Sequence, residues 1–239
     1  LAVSTTIDAT CDGFYDAEIL STAGSHSCAI DISGSIQCWG DDSFGQSTPP
    51  SGHFLQVSTG YRHSCGIDVD GSVRCWGHED DGRILPPFGA FVQISVGDAH
   101  SCGIDISGGV HCWGWDYYGQ VSDTPGGSFV QISAGQDHSC GIDGDGGVHC
   151  WGSDSYGQVS DAPSGSFVQV SSGIGHSCGV DNSGDTHCWG RDSYGQVSDV
   201  PSGTFVQVSA GGYHSCGLDS SGAVQCWGDD SYGQVSDAP

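Results

Sequence analysis

Apolar and polar residues alternate along this chain in short bursts, and the bursts recur. Phe205-Val206-Gln207-Val208-Ser209 alternates with β-branched content, which predicts a strand. Ala210-Gly211-Gly212 breaks it, and His214 to Leu218 reads as a second short strand. Asp219-Ser220-Ser221-Gly222 has the chemistry of a tight turn, because Asp can bond its own backbone and Gly accepts positive φ. Ala223 to Trp227 predicts a third strand, and Tyr232 to Val235 a short fourth, before the polar linker Ser236-Asp237-Ala238-Pro239. No stretch carries a 3.6-residue apolar period with caps, so essentially no helix is expected.

The same pattern returns six times. His-Ser-Cys begins at His26, His63, His100, His138, His176 and His214, in steps of 37, 37, 38, 38 and 38 residues. Cys-Trp-Gly keeps step with it at Cys38, Cys75, Cys112, Cys150, Cys188 and Cys226. An aromatic-Gly-Gln element follows at Phe44, Tyr118, Tyr156, Tyr194 and Tyr232, while the second repeat carries Asp81-Gly82-Arg83 there. Residues 17–239 therefore form a tandem array and residues 1–16 an arm outside it. A sheet of three or four short strands is too small to stand alone, so the units must stack. The expected fold is an all-β propeller of six repeats with three- to four-stranded antiparallel blades.

Cysteine spacing sets the covalent expectation. Each repeat holds one Cys-x9-Cys pair bracketing a predicted hairpin, and Cys216 and Cys226 lie equidistant from Ser221 in the turn. A symmetric hairpin places such residues opposite one another, close enough for a disulfide. The pairs are Cys28–Cys38, Cys65–Cys75, Cys102–Cys112, Cys140–Cys150, Cys178–Cys188 and Cys216–Cys226. The rival is zinc held by His214, Cys216 and Cys226, which would need a fourth ligand in every repeat. The thirteenth cysteine, Cys11, is left over in the arm as an intermolecular or free thiol.

Composition narrows the partners. Acids outnumber Lys+Arg by 29 to 4, for a net charge of −25. Such a surface repels phosphate backbones and anionic headgroups, so nucleic acid and membrane surfaces are poor candidates. No run of 18 apolar residues exists to cross a membrane. Dense cysteine pairing points to an oxidising compartment, and the chain reads as a secreted, extracellular product whose export signal is already removed.

The repeat Gly-x-x-His-Ser-Cys-Gly-Ile-Asp…Gly-x-Val-x-Cys-Trp-Gly-x-Asp-x-Tyr-Gly-Gln resembles that of the regulator-of-chromosome-condensation propeller superfamily, especially bacterial secreted members with short, Cys-containing repeats. The resemblance covers residues 17–239 and implies radial four-stranded blades in which His, Trp, Gly and Gln serve packing and turns. The family includes a nuclear nucleotide-exchange factor, a secreted β-lactamase-inhibiting protein and many exported proteins. Its best-known members have seven blades, whereas this chain has six repeats.

The candidate chemistry is weighed against that frame. A residue repeated in every blade performs the same structural task in every blade, so the six histidines are expected to bond a neighbouring blade's backbone, not to catalyse. His111, His149 and His187 alternate with Gln37, Arg74 and Gln225, which reads as a solvent-facing position. Turn acids such as Asp68 and Asp143 begin Asp-x-Asp-Gly but lack the distal acid of a calcium loop. The acids after Trp, among them Asp42, Asp80, Asp154 and Asp230, are expected to cap the next turn. No cofactor or metal is expected, with weak Ca²⁺ binding by the summed acidic field left open. Phe44, Tyr118, Tyr156, Tyr194 and Tyr232 are candidate binding residues that also suit sealing blade against blade. No asymmetric acid, base or nucleophile cluster marks an enzyme. Two functions stand. One is a non-catalytic extracellular structural protein that self-associates through the β-prone arm and Cys11, as a filament or surface assembly. The other is a propeller that binds another extracellular protein or a ligand, with blade-to-blade variation around His78–Pro87 and Trp115–Tyr118.

Overall fold

The computed structural model describes residues 20–239, so the arm and Cys11 lie outside the described residues. Each repeat folds into one three-stranded antiparallel sheet, with the strands in sequence order. In the fourth blade these are Phe129–Ala134, His138–Asp143 and Val148–Gly152. The chain divides into two compact units between Tyr117 and Tyr118, each holding three blades. The helical content of the described residues is one 3₁₀ turn at Asp80–Gly82, in the repeat that lost its aromatic-Gly-Gln element.

The middle hairpin has the register that the cysteine spacing requires. Cys140 faces Cys150 and Ser139 faces Trp151. All six predicted pairs are bridged, from Cys28–Cys38 to Cys216–Cys226. Their Cα atoms lie 4.0–4.1 Å apart, as directly opposed positions in an antiparallel ladder do.

The fourth strand does not form. Tyr232 to Val235 is turn, because its backbone N–H groups are already taken by side chains. Gln234 Oε1 accepts from Tyr232 N at 2.9 Å, and Asp230 Oδ1 accepts from Val235 N and Ser236 N, both at 2.9 Å. With these donors committed locally, no ladder can be extended. Asp42, Asp154 and Asp192 cap their turns in the same way. Asp80 does not; it lies in the 3₁₀ turn, where its carbonyl accepts from Arg83 Nε at 2.9 Å.

The first strand departs from simple alternation. A bulge between Phe129 and Gln131 turns Val130 outward, 50% exposed, while Phe129 and Ile132 are buried. Phe129 stacks over Gly141 of the middle strand, where a Cβ would stand 2.8 Å from the ring. The first repeat has Ala29 at that position, and its sequence has Ala17 where later repeats have Phe. The glycine is thus the space left for the phenylalanine.

The core lies between blades. Cys140 and Ile142 of the fourth blade pack with Phe167, Val170 and Trp189 of the fifth. Cys178 and Val180 of the fifth pack with Phe205, Val208 and Trp227 of the sixth. In the other unit, Cys65 and Ile67 of the second blade meet Phe91, Ile94, Val96 and Trp113 of the third. Every Trp from Trp76 onward in the Cys-Trp-Gly series is 3–7% exposed, whereas Trp39 of the first blade is 52% exposed.

This contrast predicts that Trp151→Ala costs about 3–5 kcal/mol by leaving a cavity, while Trp39→Ala costs less, roughly 1–2 kcal/mol, because about half of that side chain already faces water and no sealed cavity is left. Urea unfolding of both variants checks it; equal losses would contradict the inter-blade assignment. Intact mass without reductant is expected to show the twelve hydrogens of six bridges lost.

Candidate functional site

The repeated histidines come first, since their pairing with serine has the form of a nucleophile and its base. His26 Nε2 lies 2.7 Å from Ser64 Oγ, His63 Nε2 2.8 Å from Ser101 Oγ, and His138 and His176 Nε2 2.8 Å from Ser177 and Ser215 Oγ. Each of these four histidines therefore bonds the serine of the next repeat's His-Ser-Cys. The expected partner was the neighbour's backbone; the observed one is its side-chain hydroxyl. That hydroxyl points back across the blade junction because serine and cysteine face opposite sides of the strand.

These pairs are structural. His63, Ser64, Ser101, His138, His176, Ser177 and Ser215 are all 0% exposed, so no substrate reaches them. No third group orients the ring, since Nδ1 of His26, His63 and His176 has no hydrogen-bond partner. Burial pulls His100 and His176 down to about 4 and holds His63 well below its usual value. The histidines remain neutral at physiological pH and act as hydrogen-bonding spacers.

Tryptophan completes the junction. Trp76, Trp151, Trp189 and Trp227 Nε1 donate to the carbonyls of Gln46, Gln120, Gln158 and Gln196 at 2.9–3.1 Å. Trp113 Nε1 donates to the Arg83 carbonyl at 3.0 Å. The bond uses main chain, which is why the second repeat can replace Gln by Arg.

A further set of junction bonds was not legible in the sequence. Gln56 bridges to the next blade's first strand, accepting from Ile94 N at 2.8 Å and donating to Ile94 O at 3.1 Å. Gln169 does the same with Val208, at 2.8 Å in both directions. Ser58, Ser133 and Ser171 Oγ accept from Val96, Ser172 and Ala210 N. Alternation alone does not say whether such polar residues face solvent or a neighbouring blade.

The other hairpin end carries the turn acids. Asp143 Oδ1 accepts from Asp145 N and Gly147 N, both at 2.9 Å, and its Oδ2 meets His149 Nε2 at 2.7 Å. The His149 ring, then the backbone donors, hold that carboxyl below its usual range. His111 and His187 form the same pair with Asp105 and Asp181. These histidines are solvent-facing, as their alternation with Gln37 and Arg74 suggested; those residues reach Asp31 and Asp68 instead. Among the described residues no group of three or more His, Cys, Asp or Glu is gathered for a metal.

The repeats differ at the opposite end of each blade as well. The residue before the buried His and the residue after Cys-Trp-Gly are joined by a main-chain bond in every blade. His78 N donates to Arg62 O, Trp115 N to Ala99 O, Ser153 N to Asp137 O, Arg191 N to Gly175 O and Asp229 N to Tyr213 O, at 2.8–3.0 Å. Asp41 N donates likewise to Ser25 O. No two blades carry the same pair. The aromatic series lies at this end. Phe44, Tyr118, Tyr156 and Tyr194 are 40–53% exposed, and Tyr232 is 93% exposed. Several lean on the following repeat: Phe44 stands edge-on to His78 at 4.4 Å, and Tyr194 meets Tyr213 at 5.4 Å.

A disulfide-bridged propeller of six like blades, with buried repeat residues and variable blade ends, is a repeat scaffold. The chain belongs to the regulator of chromosome condensation (RCC1) repeat family, whose model matches residues 24–46, 54–83, 91–120, 129–158, 167–196 and 205–234. Comparison with curated protein sequences finds no relative. Among solved structures, the ectodomain of the Physcomitrella patens receptor kinase CR4 is 26% identical, with a TM-score of 0.79 over 92% of this chain and 66% of that one. The CRINKLY ectodomain of the Arabidopsis thaliana receptor kinase ACR4 is 27% identical, with a TM-score of 0.73 over 87% of this chain and 80% of that one. Yeast RCC1 (Prp20), solved bound to Kap60, shares the fold at 17% identity and a TM-score of 0.74, over 88% of this chain and 69% of that one. This chain thus spans just under two thirds of the moss ectodomain.

The buried histidines make stability pH-dependent. With folded-state pKa values of about 4 for His100 and His176, the unfolded chain binds protons that the folded chain refuses between pH 6.5 and 4. Stability is expected to be level above that window and to fall as pH drops through it, by roughly 3 kcal/mol per such histidine at pH 4. Urea midpoints at pH 7, 5.5 and 4.5 measure this. His176→Gln should show a shallower decline, and an unchanged profile would assign the effect elsewhere.

Proposed function

We propose that the protein is a non-catalytic recognition propeller working in an oxidising, extracellular setting, and that it binds another protein through the variable ends of its blades. The observation that carries this reading is the division of labour within each repeat. The shared His, Ser and Trp side chains are mostly buried in the junctions. The hydrogen-bonded pair at the blade end differs every time, from Arg62–His78 to Tyr213–Asp229. A scaffold needs no such variety, whereas a surface that discriminates among partners does. Six bridges in a chain of this size support the oxidising compartment. The two plant receptor ectodomains are extracellular parts of their own proteins, which agrees with that setting. Self-association through residues 1–16 and Cys11 has no structural observation behind it, since those residues lie outside the described ones.

A photoreactive side chain placed at Tyr61 or Tyr213 tests the proposal against one placed at Ser33 or Asn182 in the opposite turns. Crosslinks to one defined extracellular protein are expected from the first pair and not from the second. Equal labelling from both ends, or crosslinks only between copies of this chain, would overturn it.

A further inference from the structure

The chain has four cations, all arginine, and they divide into two kinds. Arg74 pairs with Asp68 at 3.0 Å and Arg83 with Asp81 at 2.8 Å. Among the described residues, Arg62 and Arg191 have no carboxylate partner, although acids number 29. Both sit at variable blade-end positions, and both are held by aromatic rings. The Arg62 guanidinium lies 4.9 Å from the Phe44 ring and 5.0 Å from that of Tyr61. The Arg191 guanidinium lies 5.2 Å from Tyr156 and 4.9 Å from Tyr213.

The Arg191 cluster is the more fully built. Tyr156 comes from the fourth repeat, Arg191 and Tyr194 from the fifth and Tyr213 from the sixth. Two tyrosine rings hold the guanidinium, and Tyr194 backs one of them, meeting Tyr213 at 5.4 Å. Arg191 Nε donates to Ser193 Oγ at 3.1 Å, which fixes the plane and leaves four N–H donors. Gly175 borders the cluster: a Cβ there would lie in ordinary contact, 3.4 Å from the Tyr156 ring and 3.5 Å from Arg191 Cβ. At the same position other blades carry Ser, Arg, Ala, Asp or Tyr.

We infer that Arg191, framed by Tyr156 and Tyr213, is the anchor by which the propeller grips a carboxylate side chain of its partner protein. This rests on the recognition reading above. A guanidinium already stacked loses little freedom on binding and presents a flat fork that matches a carboxylate. Tyrosine and arginine are the residues that dominate binding energy at protein interfaces. The exposed rings, 36–53% accessible, supply apolar area around the charge and shield it from water once covered. The net charge of −25 restricts the ligand further. A partner segment rich in acids is repelled, so the grip suits a lone Asp or Glu flanked by uncharged, apolar residues.

Selection of a random peptide library on the immobilised full chain tests the assignment. Enriched peptides are expected to share one acidic residue beside aromatic or aliphatic ones. Their affinity, measured by calorimetry, should fall at least tenfold in Arg191→Gln and in Tyr213→Ala. Gly175→Asp, a residue the fourth blade already carries there, should fall as far with unchanged melting, because it neutralises Arg191 from within. Ser183→Ala, in the opposite turn, should bind like the parent. Enriched peptides without an acid, or binding indifferent to Arg191→Gln, would overturn the anchor while leaving recognition intact. No enrichment at all would overturn both.

Discussion

Everything in this protein depends on a three-stranded sheet being unable to bury its own faces. A blade of about fifteen strand residues has too little apolar area to offset its ordering entropy. Burial therefore comes from the next blade. Phe167, Val170 and Trp189 are core only because Cys140 and Ile142 of the blade before them close the other side. The polar groups caught in that junction are answered across it, His by Ser and Trp by a main-chain carbonyl. Gln and Ser side chains on the first strands add bonds to the following backbone. A buried polar group without a partner would cost more than the bond returns, so most of these groups are paired across the junctions, while Nδ1 of His26, His63 and His176 is left without a partner.

The disulfides have a different task. Each closes a hairpin inside one blade, with a sequence separation of ten, and none crosses a junction. They favour the local hairpin in the unfolded chain and leave association between blades to packing. With junction residues and cysteines committed, the blade ends are free to vary. The pairs Gly175–Arg191 and Tyr213–Asp229 hang on the same main-chain bond, so exchanging their side chains leaves the scaffold unchanged. Side-chain variety and stability are thereby separated within a repeat of 37 or 38 residues.

Much of this was determined by sequence alone. Repeat number, all-β class and the six cysteine pairs follow from periodicity, since hairpin symmetry about a turn sets which residues face each other. The burial of Trp and the turn chemistry of Asp143 and Asp219 follow from local residue preference. What the tertiary structure decided was where long-range partners lie. The histidines bond serine hydroxyls, and the Gln and Ser of the first strand face the next blade, because two elements 38 or 39 residues apart are brought side by side. The fourth strand failed because side chains took its donors, a competition that alternation cannot register. The arginine cluster was invisible for the same reason. Tyr156, Arg191 and Tyr213 stand in three successive repeats, and only the stacking of blades makes them one surface.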